Sequence, residues 1–240
     1  MNKPPLSSTG RYVLAAIGAA AIAVFAFAGF TAPAEASAVT VPAPAADLAT
    51  APAAVTESLV LAGGCFWGVQ GVFQHVQGVV SAVSGYAGGA ADTAKYNVVS
   101  SGATGHAEAV KVVYDPKKIS YGKLLQIYFS VAHNPTELNR QGPDTGTQYR
   151  STIFPANAEQ ARVAQAYITQ LNAANTFGRK LATTVEPLKA FYPAEAYHQD
   201  YLTLHPEQPY IAYNDLPKVE DLKRSFPSLY SATPVLVGAK

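Results

Sequence analysis

The sequence predicts an α+β domain, a two-layer sandwich with an extended C-terminal wrap, on three observations. Leu59–Ala62 and Ala107–Tyr114 carry strand-like apolar runs, whereas residues 158–174 keep helical spacing throughout. Strand and helix candidates do not alternate strictly, which argues against a parallel doubly wound sheet. Beyond Leu202 the chain turns aromatic- and proline-rich as far as Tyr230, a composition suited to lying across a surface.

In chain order, a buried strand is expected at 58–62 and a helix at about 65–76, where Phe66, Val69, Val72 and Phe73 recur at helical spacing. A strand near 79–84 leads into a glycine-rich loop, Gly85–Gly89. Ala107–Tyr114 alternates as a half-buried strand stopped by Asp115-Pro116. Ser120 caps a helix to about Ala132, Tyr149–Phe154 is a strand, and Asn157 caps the longest helix. Thr183–Pro187 reads as a short strand and Pro193–Leu202 as a short helix. No internal repeat is present.

At 240 residues and 49% hydrophobic content the chain can bury one substantial core. A net charge of +1 without Lys/Arg blocks argues against nucleic acid as the main partner. Lys3 and Arg11 precede an uncharged run from Tyr12 to Phe30, followed by Ala34-Glu35-Ala36 and Ala36-Ser37-Ala38, both small-x-small sites. Residues 1–38 are therefore expected to be a signal peptide or N-terminal membrane anchor, which places the protein in the periplasm or outside the cell. Residues 39–56 read as an Ala/Pro-rich linker, 57–230 as the domain and 231–240 as a tail.

The single cysteine, Cys65, follows the apolar strand in Gly63-Gly64-Cys65-Phe66-Trp67-Gly68. That puts it in the first turn of a helix, where unpaired amides and the dipole favour thiolate. One cysteine cannot form an internal disulfide, so no second thiol on this chain can resolve an oxidised Cys65. His75, His106, His133, His198 and His205 are possible bases for a Cys-His hydrolase or acyl transferase. Glu108, flanked by Ala107 and Ala109, would be protonated near neutrality if it faced the core, and a neutral carboxylic acid is a hydrogen-bond donor. Two polar, turn-rich stretches, Lys95-Tyr96-Asn97 and Arg140–Arg150, stand where loops build sites.

Together these stretches resemble the A class of peptide methionine sulfoxide reductases, over about residues 57–226. The motifs are Gly64–Gly68, Gly85–Gly89, Thr104–Val110, Gly146–Ser151 and Tyr197–Leu202, in family order. The resemblance implies a ferredoxin-like mixed sheet and reduction of the S epimer of methionine sulfoxide, free or in proteins. It implies thiolate attack by Cys65, protonation of the sulfoxide oxygen by Glu108 with Tyr96 and Tyr149, and a water-positioning or hydrogen-bonding role for Asp144. Phe66 and Trp67 would enclose the S-methyl group. No metal and no bound cofactor are implied. Many family members carry resolving cysteines near the C-terminus. Here Pro206–Ile211 offers none, which resembles the one-cysteine branch, so the sulfenic acid would need thioredoxin, glutaredoxin or a small thiol. A non-catalytic exported binding domain on the same fold is the remaining alternative, against which the intact Cys65, Glu108, Tyr96 and Tyr149 set argues.

Overall fold

The structure, a computed structural model, describes residues 39–49 and 56–238. The expected signal or anchor segment lies outside them. Strand β1 (Glu57–Ala62) is followed by helix α1 (Phe66–Gln74), β2 (Val79–Ala87), the short α2 (Tyr96–Val99) and β3 (Ala107–Tyr114). Next come α3 (Tyr121–Ile127), which continues as a wider π turn to Ala132, and a hairpin of β4 (Arg140–Gln141) and β5 (Asp144–Thr145). Then follow β6 (Thr152–Phe154), α4 (Ala158–Ala173), β7 (Thr184–Val185), β8 (Phe191–Pro193), α5 (Tyr201–Leu204) and α6 (Leu216–Ser225).

Six strands form one mixed sheet in the order β7-β6-β1-β3-β2-β8, parallel only between β6 and β7. Its centre, β6-β1-β3-β2, is the split βαβ arrangement of ferredoxin-like sandwiches, with β3 inserted between β1 and β2. Along β3 the parity is strict. Glu108, Val110, Val112 and Tyr114 share a face, because residues two apart point the same way. Val110, Val112 and Tyr114 meet Val69, Val72 and Phe73 of α1 in the main core. The opposite face carries a small alanine-rich cluster, Ala62, Ala87, Ala107 and Ala109, against which Leu188 and Phe191 pack.

Both expected caps form. Ser120 Oγ accepts from the Lys123 amide at 3.2 Å and Asn157 Oδ1 from the Gln160 amide at 2.9 Å. Three elements differ from expectation. β2 runs on through Gly85–Ala87, because those residues pair with Ala107–Ala109 on one side and with β8 on the other. The strand expected from Tyr149 starts only at Thr152, since Thr147–Tyr149 coils into a 3-10 turn after Gly146. Pro193–Leu202 is not one helix. Gln199 Oε1 accepts from the Ser84 and Gln70 nitrogens, and Asp200 adopts φ +60°, which breaks the segment into β8, a turn and α5.

The Ala/Pro segment departs furthest from the linker reading. Residues 39–49 lie extended along α3 and α4, with Val41 buried. Gln126 donates to the Val41 carbonyl at 2.7 Å, Tyr167 to that of Pro42 at 2.6 Å and Gln170 to that of Ala43 at 2.9 Å. Asp47 accepts from the Gly122 amide at 2.7 Å. Side chains of the domain thus read the backbone of this strap, for which its own composition gives no sign. The expected tail is also held: Ser231 and Val235 donate backbone bonds to His75 and Gln74, and Val237 to the Asp200 carboxylate. Tyr167→Phe, which deletes the bond to Pro42, is expected to cost about 1 kcal/mol in urea unfolding of a chain starting at Val39. It should cost close to nothing in one starting at residue 50; equal costs would mean the strap is not docked.

Candidate active site

β1 ends at Ala62, and the chain must turn at once to lay α1 across the sheet. Gly64 makes that turn at φ +87°, with Gln141 of the β4–β5 hairpin packed where a side chain would stand. Cys65 then occupies the N-cap of α1 and is buried. The Phe66 amide, one of the helix's unpaired first donors, gives its hydrogen to Glu108 Oε2 at 3.1 Å. Glu108 is 3% exposed and lies two residues along β3 from Val110, which pairs with Leu61. The parity of β3 therefore delivers this carboxyl to the first turn of α1.

Burial drives the Glu108 pKa up to about 8; the Phe66 amide pulls it back, and the charges of Asp144 and Asp215 push it higher. Cys65 differs from expectation. Its thiol pKa stands well above the ordinary value, because burial and the nearby Asp215 and Glu108 outweigh the Trp67 amide and Lys218. The helix N-terminus does favour thiolate, but desolvation beside carboxylates is the larger effect, and the resting sulfur is a thiol.

The other expected residues converge here. Asp144, carried by the hairpin, accepts from the Tyr210 hydroxyl, and burial raises its pKa while Tyr210 and Lys218 lower it. The Tyr96 and Tyr149 hydroxyls both feel the charges of Glu108 and Cys65 on top of the desolvation that raises their pKa values. Phe66 is buried against His198 and Tyr86, with ring centroids at 5.1 and 5.9 Å. Trp67 is half-buried and its plane is fixed three ways. It stacks on Tyr201 at 3.9 Å, meets the Tyr210 ring edge-on at 6.1 Å, and donates its indole N–H to His198 Nδ1 at 3.2 Å.

His198 is thus committed to Trp67. His106 is held by the Gly89 amide and the Ala90 carbonyl, and His133 by Ser151 and the Tyr128 carbonyl. Among the described residues no histidine is hydrogen-bonded to Cys65, which leaves a Cys-His hydrolase without its base. Tyr201, Tyr210, Asp215 and Lys218 were not singled out from sequence. Tyr210 is flanked by prolines and apolar residues, and Asp215 and Lys218 read as ordinary positions of a polar helix.

A donor acid beside a buried thiol under a fixed aromatic wall suits reduction of a polar S=O group next to an apolar methyl. Comparison with known proteins agrees. The family model for peptide methionine sulfoxide reductase matches residues 57–229. The chain belongs to the peptide methionine sulfoxide reductase family. It is 64% identical over 182 residues to peptide methionine sulfoxide reductase MsrA 2 of Mesorhizobium japonicum, covering 76% of this chain and 93% of that one. It is 51% identical over 171 residues to the MsrA 2 of Synechocystis, covering 71% and 80%. Among solved structures, reduced Mxr1 from Saccharomyces cerevisiae superposes with a TM-score of 0.58 at 35% identity, covering 66% of this chain and 90% of that one. The protein is an oxidoreductase that reduces methionine sulfoxide.

Protonation of Glu108 has a measurable sign. Between its unfolded pKa near 4.5 and its folded value of about 8, the native state keeps a proton that the unfolded chain has lost. Stability therefore falls as pH rises through that window, by up to about 1.4 kcal/mol per unit. Glu108→Gln removes this dependence, leaving the shallower slope that Asp144 and Asp215, also raised, contribute. Urea midpoints should show the variant gaining on wild type from about pH 5 to about pH 8; parallel curves would mean Glu108 is ionised in the fold.

Proposed function

We propose that the enzyme reduces the S epimer of methionine sulfoxide in one Cys65-centred step, outside the cytoplasm, and is recycled by an external thiol. The observation that carries the reading is the Phe66 N–H···Glu108 bond. Because Oε2 accepts from the amide, the acid proton of a neutral Glu108 belongs on Oε1, where it can be donated. A sulfoxide oxygen placed against it, with the hydroxyls of Tyr96 and Tyr149 adding donors, draws electron density from sulfur as negative charge builds on oxygen. Phe66 and Trp67 take the S-methyl group, and Asp144, steadied by Tyr210, orders a water or a polar hydrogen near the sulfur. Fixing methyl and oxygen at once selects one configuration at sulfur.

The Cys65 sulfur attacks the sulfoxide sulfur. The oxygen and the former thiol proton end together on Cys65 as a sulfenic acid, and methionine leaves two electrons richer. With one cysteine in the chain, a first outside thiol displaces water to form a mixed disulfide, and a second releases Cys65 and a disulfide. Thioredoxin, glutaredoxin or a small thiol can fill both roles. Oxidised proteins or free methionine sulfoxide are the substrates.

Export is supported by the apolar run Tyr12–Phe30 and the small-x-small sites after it. Cleavage between Ser37 and Val39 would leave the docked strap as the new N-terminus. Among the described residues no helix is long and apolar enough to cross a membrane. The chain holds one methionine, at position 1, and one cysteine, which is buried, so the mature domain offers an oxidant few sulfur targets.

Cys65→Ser should abolish methionine release from a resolved S-sulfoxide with matched circular dichroism, because a serine oxygen is a far weaker nucleophile than sulfur and cannot take up the oxygen as a sulfenic acid. Activity within about tenfold of wild type would remove Cys65 as nucleophile. In wild type, one equivalent of substrate without reductant should leave Cys65 carrying a single oxygen, trapped by dimedone, with one methionine released per enzyme. Release of methionine with neither added oxygen nor trapping would contradict the one-cysteine cycle.

A further inference from the structure

A buried ion pair stands beside the nucleophile's helix with no role in the chemistry above. Lys218 Nζ lies 2.9 Å from Asp215 Oδ1, across the joint between the turn Ile211–Asp215 and α6. The Asp215 side chain is wholly buried and that of Lys218 is 21% exposed. Asp215 Oδ2 has no hydrogen-bond partner. Such a pair is expensive to desolvate, and well-packed apolar groups of the same volume are often as stable or more so. Stability alone does not account for it.

Its placement does. The pair fills the space that a side chain at Gly68 would need: a Cβ there would collide with Asp215 Oδ1 and stand 2.8 Å from Lys218 Nζ. Gly68 is three residues beyond Cys65, one turn along the same face of α1. The ammonium therefore flanks the turn that presents the sulfur. The carboxyls whose charges bear on Cys65 come from two elements, Glu108 on β3 and Asp215 on the π turn; Asp144 on β5 acts on both of these, and the hydroxyls of Tyr96, Tyr149 and Tyr210 feel the Cys65 charge. The cation in this cluster is Lys218.

We propose that Lys218, held against the first turn of α1 by Asp215, is a positioning residue that supplies the counter-charge for the Cys65 anion during attack. Asp215 has a double action. It fixes the ammonium, and its own charge opposes ionisation of the sulfur, which keeps Cys65 a thiol until substrate arrives. Both residues accordingly act on the thiol with opposite sign. The proposal rests on Cys65 as nucleophile, but its test needs no sulfoxide, so the two can fail separately.

The test is the pH dependence of Cys65 alkylation by iodoacetamide, followed by mass spectrometry on the whole mature enzyme. Lys218→Met should move the midpoint up by about one pH unit, slowing alkylation about tenfold at any pH below it. Lys218→Arg should restore it, and Asp215→Asn should move it down. In single turnover, Lys218→Met should lower the rate of methionine formation, with recovery at higher pH and little change in the substrate concentration needed for half-maximal rate. A purely structural pair would lower stability in each variant and leave the midpoint in place. If Lys218→Met does not fold, Asp215→Asn is compared with the Asp215→Asn/Lys218→Met double variant, which differ only in the cation. An unmoved midpoint in the folded pair, or shifts of the same sign for loss of Lys218 and loss of Asp215, overturns the proposal.

Discussion

A single hydrogen bond, from the Phe66 amide to Glu108 Oε2, joins the helix that carries the nucleophile to the strand that carries the acid. It ties α1 to β3 at the one level of the sheet where β1 has ended and the chain has turned through Gly64. It also uses a helix N-terminal donor that would otherwise be buried without a partner, and it fixes which oxygen of a protonated Glu108 is free to donate. The hairpin that presents Asp144, the tyrosines and the C-terminal turn with Asp215 are all packed around this joint. Burial, reinforced by the acidic groups gathered there, holds Glu108 and Cys65 in their neutral forms.

Two neutral partners suit this chemistry. A sulfoxide is a poor electrophile until its oxygen receives a hydrogen bond, and a thiol ionised at rest in a buried site beside Asp215 and Glu108 would be costly. Trp67 is held as firmly as the acid, by stacking on Tyr201 and by His198, so the aromatic wall is set before a substrate enters. Tyr210 links this wall to the acids, because its ring meets Trp67 and its hydroxyl bonds Asp144. The C-terminal region carries no cysteine. Here it supplies packing and charge, with Ile211 and Asp215 fully buried.

Much of this was legible in the sequence where the relevant period is local. Ala107–Tyr114 alternates well enough for the strand to follow from spacing, whereas the local pattern leaves open whether Glu108 faces the core; α1, packed on Val110 and Val112 of the same face, decides it. Ser120 and Asn157 announce their helices because capping needs only neighbours three residues away. The thiol state of Cys65 was not legible. It depends first on burial by the whole fold and then on Asp215 and Glu108, which approach from distant parts of the chain; together they overturn the local helix effect. The strap at 39–49 escaped for a related reason: its carbonyls are read by Gln126, Tyr167 and Gln170, and its own Ala and Pro residues give no signal.

The central claim is that Glu108 is a neutral acid at neutral pH with one oxygen committed to the Phe66 amide. Isotope-edited infrared spectroscopy of glutamate-labelled enzyme, with Glu108→Gln subtracted, observes that carboxyl directly. The account predicts a protonated carbonyl band for Glu108 at neutral pH that gives way to the carboxylate bands as pH rises through about 8. Carboxylate bands already complete at neutral pH would contradict it.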